Sequence, residues 1–311
     1  MAGSRPPTTN DQPPTVVVFG GANLDIIARP DRSIQPGVSN PGTVHTGAGG
    51  AGRNVAVNLA ALGAAATLVS AVGNDAAGDY LLAETARAGV DVSRVVRVAD
   101  RSNYYVALAG AGPEVLVVSD MAAAESLSPA QVHATAELAQ RAHMVVIDAN
   151  LHPQAIAAAA AAAGPAPLCL LPTSPAKAPR LADVVDHASL IVASVPELEA
   201  LGAPPIASAR DALAAAASLR DRTGALVIVS MGARGIGLAG AEELWLDALP
   251  VAVVDVTGAG DAVAAAAVWG VVTGLSEREM VGLARAAGAM TVTVQGATHP
   301  ALSAAALRAY A

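Results

Sequence analysis

Short apolar segments alternate with longer, alanine-rich segments along most of the chain from Thr15 onward. The apolar segments have the length of single buried strands, and the alanine-rich ones have the composition of helices, because alanine is the best helix former. The predicted buried strands are 16–19, 67–72, 144–147, 168–171, 190–192, 226–229 and 251–254. The predicted helices are 55–62, 78–88, 129–142, 153–163, 207–220 and 262–272. Such an alternation is typical of a mainly parallel sheet that helices cover on both faces.

Two regions interrupt this alternation with shorter, partly alternating segments that turn residues separate. They comprise residues 25–27, 43–46, 95–98, 104–108 and 115–118. This pattern predicts antiparallel strands of a small accessory sheet. We therefore predict one α/β domain over residues 15–311, with a β lid formed from about 25–46 and 95–118. Residues 1–14 are polar and rich in proline, and we predict that they form a disordered tail.

Composition and charge narrow the class of ligand. Hydrophobic residues make up 53% of the 311 positions, which is enough to bury a sizeable core. Lys and Arg number 18 against 26 Asp and Glu, giving a formal net charge of −8 without a basic cluster. Nucleic acid is therefore excluded as a partner, because binding its phosphates requires a positive surface. No stretch reaches the ~20 consecutive apolar residues of a membrane span, and no secretory signal is recognisable. We expect a cytoplasmic protein that binds no membrane.

Several catalytic and metal-binding patterns do not occur in the sequence. Its one cysteine, Cys169, excludes an internal disulfide and a cysteine-based zinc site, and its apolar neighbours predict that it is buried. A G-x-x-x-x-G-K-[ST] phosphate loop, the protein-kinase motifs and the H-E-x-x-H zinc pair are likewise missing. A P-loop kinase is therefore excluded, and the sequence gives no support for a His-rich metal site.

The first glycine-rich segment, Gly47–Gly52, matches the dinucleotide-binding pattern G-x-G-x-x-G. That pattern normally follows a buried strand, whereas residues 39–46 are polar and rich in turn formers. We favour a different interpretation, in which small residues let the backbone approach a ligand closely. Arg53 and Asn54 would then supply hydrogen-bond donors at the start of the following helix.

Asn23 and Asp25 follow the first predicted strand. Ligands of α/β folds bind at the carboxyl ends of the strands. A carboxylate and an amide at this place suit two adjacent hydroxyls, such as those of a ribose. A turn asparagine and a solvated aspartate are an equally good interpretation of these two residues alone.

The second glycine-rich segment runs from Asp255 to Asp261 and precedes the apolar helix predicted for 262–272. The backbone amides of Gly258, Ala259 and Gly260 would form an anion site at the N-terminus of this helix. Asp261 lies directly beside that site, where a carboxylate could act as general base on an attacking hydroxyl during phosphoryl transfer. The alternative is an aspartate that only stabilises the helix dipole. The residues alone leave both open.

Taken together, these segments resemble one known family. Residues 255–261 resemble the second signature of the ribokinase-like (PfkB) sugar and nucleoside kinases, and residues 49–56 resemble the first. Residues 229–235 are similar to the family's strand and turn beside the nucleotide phosphates. The resemblance extends from about residue 16 to residue 300. Within the family it is strongest to the pseudouridine kinases, on the segments 39–42, 52–59, 70–75, 119–121 and 148–151 with Ser174 and Lys177.

The resemblance implies a fold and a reaction. The fold would be ribokinase-like: a mainly parallel central sheet with helices on both faces and a small β lid. The donor would be Mg-ATP, and the γ-phosphoryl group would go to a primary hydroxyl, which in a pseudouridine kinase is the ribose 5′-hydroxyl. A nucleoside or sugar and ATP would thus be the partners. The apolar alternation of the lid, for example at Val106 and Leu108, also predicts a homodimer through the lid.

The resemblance also assigns roles to single residues. Asp261 would be the base, with the amides of Gly258, Ala259 and Gly260 as the anion hole. The acceptor would be held by Asn23, Asp25, Gly49, Gly50, Asn54 and Tyr105. ATP would lie along Ser230, Gly232, Thr257, Gly258 and Gly260. Glu199 would act on Mg²⁺ through water, and Asp255 would help bind a monovalent cation such as K⁺.

Two positions depart from the family's pattern on the metal and phosphate side. Pro196 stands where the family's Asn-x-x-Glu element has its asparagine, and Leu171 precedes Pro172 where pseudouridine kinases usually have aspartate. Two alternatives to a pseudouridine kinase therefore stay open. One is another PfkB kinase that acts on ribose, adenosine or another nucleoside. The other is a nucleoside-binding protein with weakened catalysis.

Overall fold

A computed structural model of the chain describes residues 12–99, 101–109 and 115–310. Residues 1–11 of the predicted tail lie outside the described residues. The described strands are β1 (Thr15–Phe19), β2 (Asn23–Pro30), β3 (Gly42–Gly49), β4 (Ala65–Gly73), β5 (Asp91–Val98), β6 (Asn103–Ala109), β7 (Val115–Asp120), β8 (Met144–Asp148), β9 (Leu168–Leu171), β10 (Leu190–Ser194), β11 (Leu226–Ser230), β12 (Ile236–Ala239) and β13 (Glu243–Leu246). The described helices are α1 (Ala51–Ala61), α2 (Ala76–Arg87), α3 (Ala122–Glu125), α4 (Pro129–His133), α5 (Ala136–Arg141), α6 (Pro153–Ala163), α7 (Val195–Ala200), α8 (Ala209–Thr223), α9 (Ala259–Val272), α10 (Glu277–Thr291) and α11 (Ala304–Tyr310).

A central sheet orders its strands β13-β12-β11-β10-β9-β8-β1-β4-β5. The strands from β11 to β5 pair in parallel, and β12 and β13 add an antiparallel edge. Alternate residues of β1 face two different cores: Val16 and Val18 belong to one that includes α1, α9 and α10, whereas Val17 and Phe19 belong to one that includes α6 and α8. The prediction of a mainly parallel sheet between two helical layers is confirmed, and Cys169 is fully buried.

Three details of the predicted elements are wrong. Residues 251–254 form no strand, because the backbone N–H of Val254 donates to the carbonyl of Val292 just beyond α10 rather than to a neighbouring strand. Residues 95–98 are not part of the lid, since β5 pairs in parallel with β4 at the edge of the central sheet. The helix predicted for 129–142 is divided into α4 and α5.

The lid is a separate sheet with the strand order β3-β2-β6-β7. The pairs β2–β3 and β6–β7 are antiparallel as predicted, but β2 and β6 are parallel. This correction has a topological reason. The chain leaves the lid at the end of β3, passes through α1, β4, α2 and β5, and enters it again at β6 in the direction of β2.

The edge of the central sheet where the parallel strands end carries the polar residues of interest. Only three residues, 20–22, separate the end of β1 from the start of lid strand β2. Asp148 ends β8, Ser194 ends β10 and Ser230 ends β11, so all three lie at this same edge. The fold thus brings the lid and the carboxyl ends of the strands together, where α/β folds bind ligands. None of the helices in the described part of the chain is long and apolar enough to span a membrane.

Candidate active site

The two glycine-rich segments meet at a hydrogen bond between Asn54 and Asp261. Asn54 lies in the first turn of α1, and Asp261 is the third residue of α9. The Asn54 Nδ2 atom donates to the Asp261 Oδ2 atom at 2.8 Å, although the two residues are 207 positions apart in the sequence. The structure therefore joins the two segments that the sequence presents separately.

The carboxyl group of Asp261 is held close to its titration midpoint at neutral pH. Burial raises its pKa to about 7, while the hydrogen bond from Asn54 works in the opposite direction. The charges of Asp148, Asp25 and Glu197 also contribute to this raised value. Part of the residue's surface is still accessible from the cleft. A carboxylate with a pKa near the working pH is well suited to accept a proton from a bound hydroxyl.

A loop with a left-handed glycine positions Asp261. Gly258 precedes α9 with φ of +74°, and a Cβ atom there would lie 2.3 Å from the carbonyl oxygen of Ala297. The next two residues, Ala259 and Gly260, are the first of the helix, so no preceding helical turn uses their N–H groups, although the Ala259 N–H donates to the Val256 carbonyl at 3.4 Å. The backbone donors predicted as an anion hole thus lie directly before the predicted base.

Asn23 and Asp25 lie at the start of β2, and the Asn23 side chain donates a hydrogen bond to the Asp25 carboxylate. Strand β3 passes close to them: a Cβ atom on Gly49 would lie 2.1 Å from Asp25 Oδ2, so a side chain at this position would displace the Asp25 carboxylate. Burial raises the pKa of Asp25 to about 7, against the opposing effects of the Arg53 charge and the Asn23 hydrogen bond.

Tyr105 lies directly opposite Asp25 in the pairing of β2 and β6. Burial raises the pKa of the Tyr105 phenol, and the negative charges of Asp25 and Asp255 raise it further. Gly50 connects β3 to α1 with φ of +99°. The residues predicted for the acceptor are therefore brought together by three lid strands, β2, β3 and β6, and the start of α1.

Asp255 organises the loop that leads into α9. Its Oδ1 atom accepts hydrogen bonds from the backbone N–H and the hydroxyl of Thr257 at 3.0 and 2.7 Å, and its Oδ2 atom accepts from the Gly296 N–H at 3.3 Å. Arg29 of lid strand β2 forms an ion pair with Oδ2 at 3.6 Å. Burial acts to raise the pKa of Asp255, but these donors and the Arg29 charge outweigh it and lower the pKa.

Two of the residues predicted for ATP, Ser230 and Gly232, lie where β11 ends, next to the end of β10. Ser230 at the end of β11 pairs with Ser194 at the end of β10, and Gly232 begins a tight turn with φ of +57°. Glu199 in α7 accepts a hydrogen bond from the Ile206 N–H at 2.7 Å. Within the described residues, no hydrogen bond joins Ser230, Gly232 or Glu199 to Asp261.

Nowhere in the described ranges do three or more His, Cys, Asp or Glu side chains cluster into a metal site. Mg²⁺ that is carried by nucleotide phosphates and water commonly uses only one or two protein carboxylates. One oxygen of Glu199 is used by Ile206, and the other is free of protein hydrogen bonds among the described residues, which fits a contact through water.

Proline at position 196 fits the local structure. Pro196 is the second residue of α7, where a backbone N–H has no partner within the helix, so proline removes no helical hydrogen bond. The helix start is held instead by Ser194 and Glu197, since the Glu197 carboxylate accepts from the Ser194 N–H at 2.7 Å. Proline in place of the family's asparagine therefore changes the polar groups available at this position and leaves the helix intact.

The structure also adds side chains to which the sequence interpretation gave no specific role. Asp148 is fully buried, and its Oδ2 atom accepts from the backbone N–H groups of Gly21 and Gly52 at 3.0 and 2.7 Å. The sequence did contain a signal for Asp148, since it is a single charged residue at the end of the apolar strand β8. Arg29 was missed as well, although period-two alternation along β2 places it on the same face as Asp25.

This fold, with an aspartate beside helix-terminal amides at the carboxyl edge of the sheet, defines a phosphotransferase of the ribokinase type. The family model described as pfkB family carbohydrate kinase matches residues 14–304, and the chain belongs to this family. It is 31% identical to the pseudouridine kinase of Escherichia coli K12 over 93% of each chain. It is 27% identical to the ribokinase of Bacillus subtilis over 91% of this chain and 94% of that one.

The solved structures agree on the fold. The ribokinase of Arabidopsis thaliana, complexed with ribose and ATP, superimposes with a TM-score of 0.80 and 24% identity, covering 96% of this chain and 99% of that one. The predicted ribokinase-like architecture is thus confirmed, and its family membership makes the chain a kinase.

Proposed function

We propose that the protein phosphorylates the 5′-hydroxyl of a nucleoside with ATP, with pseudouridine as the preferred acceptor and Asp261 as the general base. The observation that carries this proposal is the hydrogen bond from Asn54 to Asp261 beside the amides of residues 258–260. It brings a carboxylate with a pKa of about 7 next to helix-terminal donors that suit a phosphate.

The acceptor would bind between the lid and the start of α1. The Asp25 carboxylate would accept hydrogen bonds from the ribose hydroxyls, and the Asn23 amide would donate hydrogen bonds to them. The backbone of Gly49 and Gly50 and the amide of Asn54 would lie beside these two side chains. Tyr105, opposite Asp25 on β6, would border the nucleobase. Pseudouridine is supported as the acceptor by the likeness to the Escherichia coli enzyme over nearly the full length of both chains.

The donor would bind along the ends of β10 and β11 and the start of α9. Ser230, Gly232 and Thr257 would contact the ATP phosphates, and the amides of residues 258–260 would stabilise the transferring group. Mg²⁺ supplies positive charge to the phosphates when it is bound, and Glu199 would hold it through water. During transfer, the proton of the attacking hydroxyl moves to a carboxylate oxygen of Asp261.

Two further proposals concern an ion and the assembly. Asp255 would contribute to a monovalent-cation site such as one for K⁺, although Arg29 already places a positive charge 3.6 Å from its carboxylate. The exposed apolar side chains of the lid support a homodimer, in which a second copy covers them.

Two alternatives have support from particular observations. A related kinase acting on ribose is supported by the likeness to the Bacillus subtilis ribokinase. A binding protein with weakened catalysis is supported by Pro196, which removes an amide from the cleft, and by Glu199, which already accepts a hydrogen bond from Ile206.

The first test measures ADP release with Mg-ATP for wild type and Asp261→Asn. Asparagine keeps the size of the side chain but does not accept the proton, so turnover should fall by about three orders of magnitude or more while acceptor binding persists. Asp221→Asn, an exposed change on α8, should leave both unchanged. Turnover by Asp261→Asn at the wild-type rate would exclude Asp261 as the base.

The second test compares pseudouridine, uridine, adenosine and ribose as acceptors, with a reaction without acceptor as the background. Turnover on pseudouridine well above the others supports the proposed substrate. Preference for ribose or adenosine would keep the kinase and replace its acceptor. A rise of the melting temperature with pseudouridine, without ADP release on any acceptor, would identify a binding protein instead.

A further inference from the structure

Arg53 is a buried cation in the first turn of α1, with only 6% of its surface exposed. Its Nε atom donates to the Thr85 hydroxyl of α2 at 3.2 Å. Its Nη1 atom donates to the Ala48 carbonyl of lid strand β3 at 2.9 Å and to Asn54 Oδ1 at 3.2 Å. One planar guanidinium therefore contacts the lid, the helix layer and the side chain that reaches Asp261.

These contacts determine which way the Asn54 amide points. A guanidinium only donates hydrogen bonds, so the Asn54 atom that faces Arg53 has to be the oxygen. The amide nitrogen is then on the side of Asp261, whose ionised carboxylate only accepts. A flipped amide would place its NH₂ group against Arg53 and its oxygen against Asp261, and both contacts would be unfavourable.

The charge of Arg53 also acts on the acceptor side of the cleft. It lowers the pKa of Asp25 against the larger effect of burial, and Asp25 in turn favours the charged form of Arg53. The Ala48 carbonyl that Arg53 binds belongs to the residue paired with Leu24, immediately before Asp25. Arg53 is thus placed to influence Asp25 by charge and by holding the base of the lid.

We propose that Arg53 is a positioning residue for this reaction, which fixes the Asn54 amide toward Asp261 and keeps Asp25 and the base of lid strand β3 in place. The proposal rests on the proposed function, since it takes Asp261 as the base. Arg53 would touch neither the transferred group nor the acceptor, and it would act through Asn54 and Asp25.

Several titratable groups set the electrostatic background against which Arg53 acts. Tyr80 and Glu84 of α2 and Asp25 of β2 face the guanidinium. Asp148, Asp25 and Glu197 face Asp261 and raise its pKa, while Asn54 alone provides an opposing hydrogen bond. A loosened Asn54 amide should therefore move the pKa of Asp261 upward, because no other side-chain donor replaces it among the described residues.

The test is the pH profile of kcat for wild type, Arg53→Met and Arg53→Lys. If the pKa of Asp261 rises by about one unit from about 7, turnover at pH 7 falls about fivefold and recovers toward pH 9. Arg53→Met also removes the charge beside Asp25 and should raise the KM for the acceptor. Lysine keeps the charge but lacks the planar fork, so Arg53→Lys should shift the profile with a smaller change of KM.

Thr85→Val is the matched control. It removes the Nε partner of Arg53 within α2 and leaves the contacts to Ala48 and Asn54 in place. It should lower the melting temperature without moving the acid side of the kcat profile. A structural defect alone would lower turnover equally at pH 7 and pH 9, so recovery at high pH distinguishes positioning from damage.

The inference would be overturned if the acid limb of the kcat profile stays within about 0.2 pH units of the wild-type position in both Arg53 variants. If Arg53→Met fails to fold, Arg53→Lys decides by itself, because lysine preserves the buried charge. The outcome for Asp261→Asn separates the two proposals. Loss of turnover in Asp261→Asn with unchanged Arg53 profiles rejects only the positioning role, whereas wild-type turnover in Asp261→Asn rejects the base itself.

Discussion

Three aspartates near the cleft show how the same side chain takes different protonation states in different surroundings. Burial acts to raise the pKa of all three. Asp255 receives three hydrogen bonds from Thr257 and Gly296 and faces Arg29, so its pKa is lowered. Asp25 and Asp261 each receive one side-chain hydrogen bond, which is too little to offset burial, and their pKa rises to about 7. The sign of the shift therefore depends on the balance between burial on one side and hydrogen-bond donors and nearby charges on the other.

At the same scale, Gly258→Ala should abolish turnover and lower stability. Alanine is strained at φ of +74° by roughly 1–2 kcal/mol, and its Cβ would lie 2.3 Å from the Ala297 carbonyl oxygen. The loop would have to move, and the helix-terminal amides and Asp261 would move with it. Chemical denaturation and ADP release measure the two effects.

Gly282→Ala is the matched glycine control. Gly282 lies inside α10 with open space where its Cβ would be, so alanine should stabilise the protein by up to about 1 kcal/mol. Activity should stay at the wild-type level. A Gly258→Ala protein as stable and active as wild type would show that the left-handed turn is dispensable.

At the scale of elements, the lid has two chemically different faces. Asp25 and Tyr105 lie on the face toward the cleft, and directly paired residues of neighbouring strands share a face. The pairings Ala28–Val44, Ile26–Val106 and Val106–Val118 place apolar residues on the opposite face. Val44, Leu116 and Val118 are 64–71% exposed there. An exposed apolar sheet face of this kind is typical of an interaction surface.

We predict that this face is the homodimer interface. Light scattering at micromolar concentration should give twice the chain mass of 30.6 kDa for wild type. The double variant Val44→Lys, Val118→Lys should give a monomer, because two charges would be buried without partners. Tyr310→Lys, at an exposed apolar site on α11 outside the lid, should stay dimeric. A monomeric wild type would contradict the prediction.

For the molecule as a whole, the cleft concentrates negative charge in a protein whose net charge is already −8. Asp25 and Asp261 take up protons on folding, because their folded pKa of about 7 lies above the ordinary 3.8. Between these values the folded state binds more protons than the unfolded state, so their contribution to stability decreases as pH rises. Catalysis by Asp261 requires the ionised form, so activity should increase over the same range.

Stability and activity should therefore change with pH in opposite directions. Compared with the double variant Asp25→Asn, Asp261→Asn, the wild-type protein should lose about 5 kcal/mol of unfolding free energy between pH 5 and pH 8, because each group contributes about 1.4 kcal/mol per pH unit below its folded pKa of about 7. Turnover of wild type should rise through about pH 7. Urea denaturation at several pH values measures the first trend and ADP release the second. Parallel slopes for the two proteins would show that these carboxyl groups titrate normally.

Much of the architecture was predictable from local pattern. The apolar segments at 16–19, 144–147 and 226–229 are strands of the central sheet, because a parallel strand buried on both faces has to be continuously apolar. The motif resemblance indicated the family, which is confirmed. The glycines at 49, 50 and 258 also carried a local signal, since tight turns and close approach require them.

Other features depended on contacts between distant parts of the chain. Residues 95–98 alternate like a lid strand, but the free edge of β4 decides where they pair. The parallel pairing of β2 with β6 follows from the path of the chain through the central sheet. Asn54 and Asp261, 207 positions apart, meet only when α1 packs beside α9.

The chemistry of the cleft is decided at this tertiary level. Local sequence determines which backbone conformations are favourable, and so it indicates strands, helices and glycine turns. A pKa near 7 for Asp25 and Asp261 results from burial and from the few donors that distant segments bring close. Electrostatic effects of burial depend on the distances between groups in space, and those distances exist only in the folded chain.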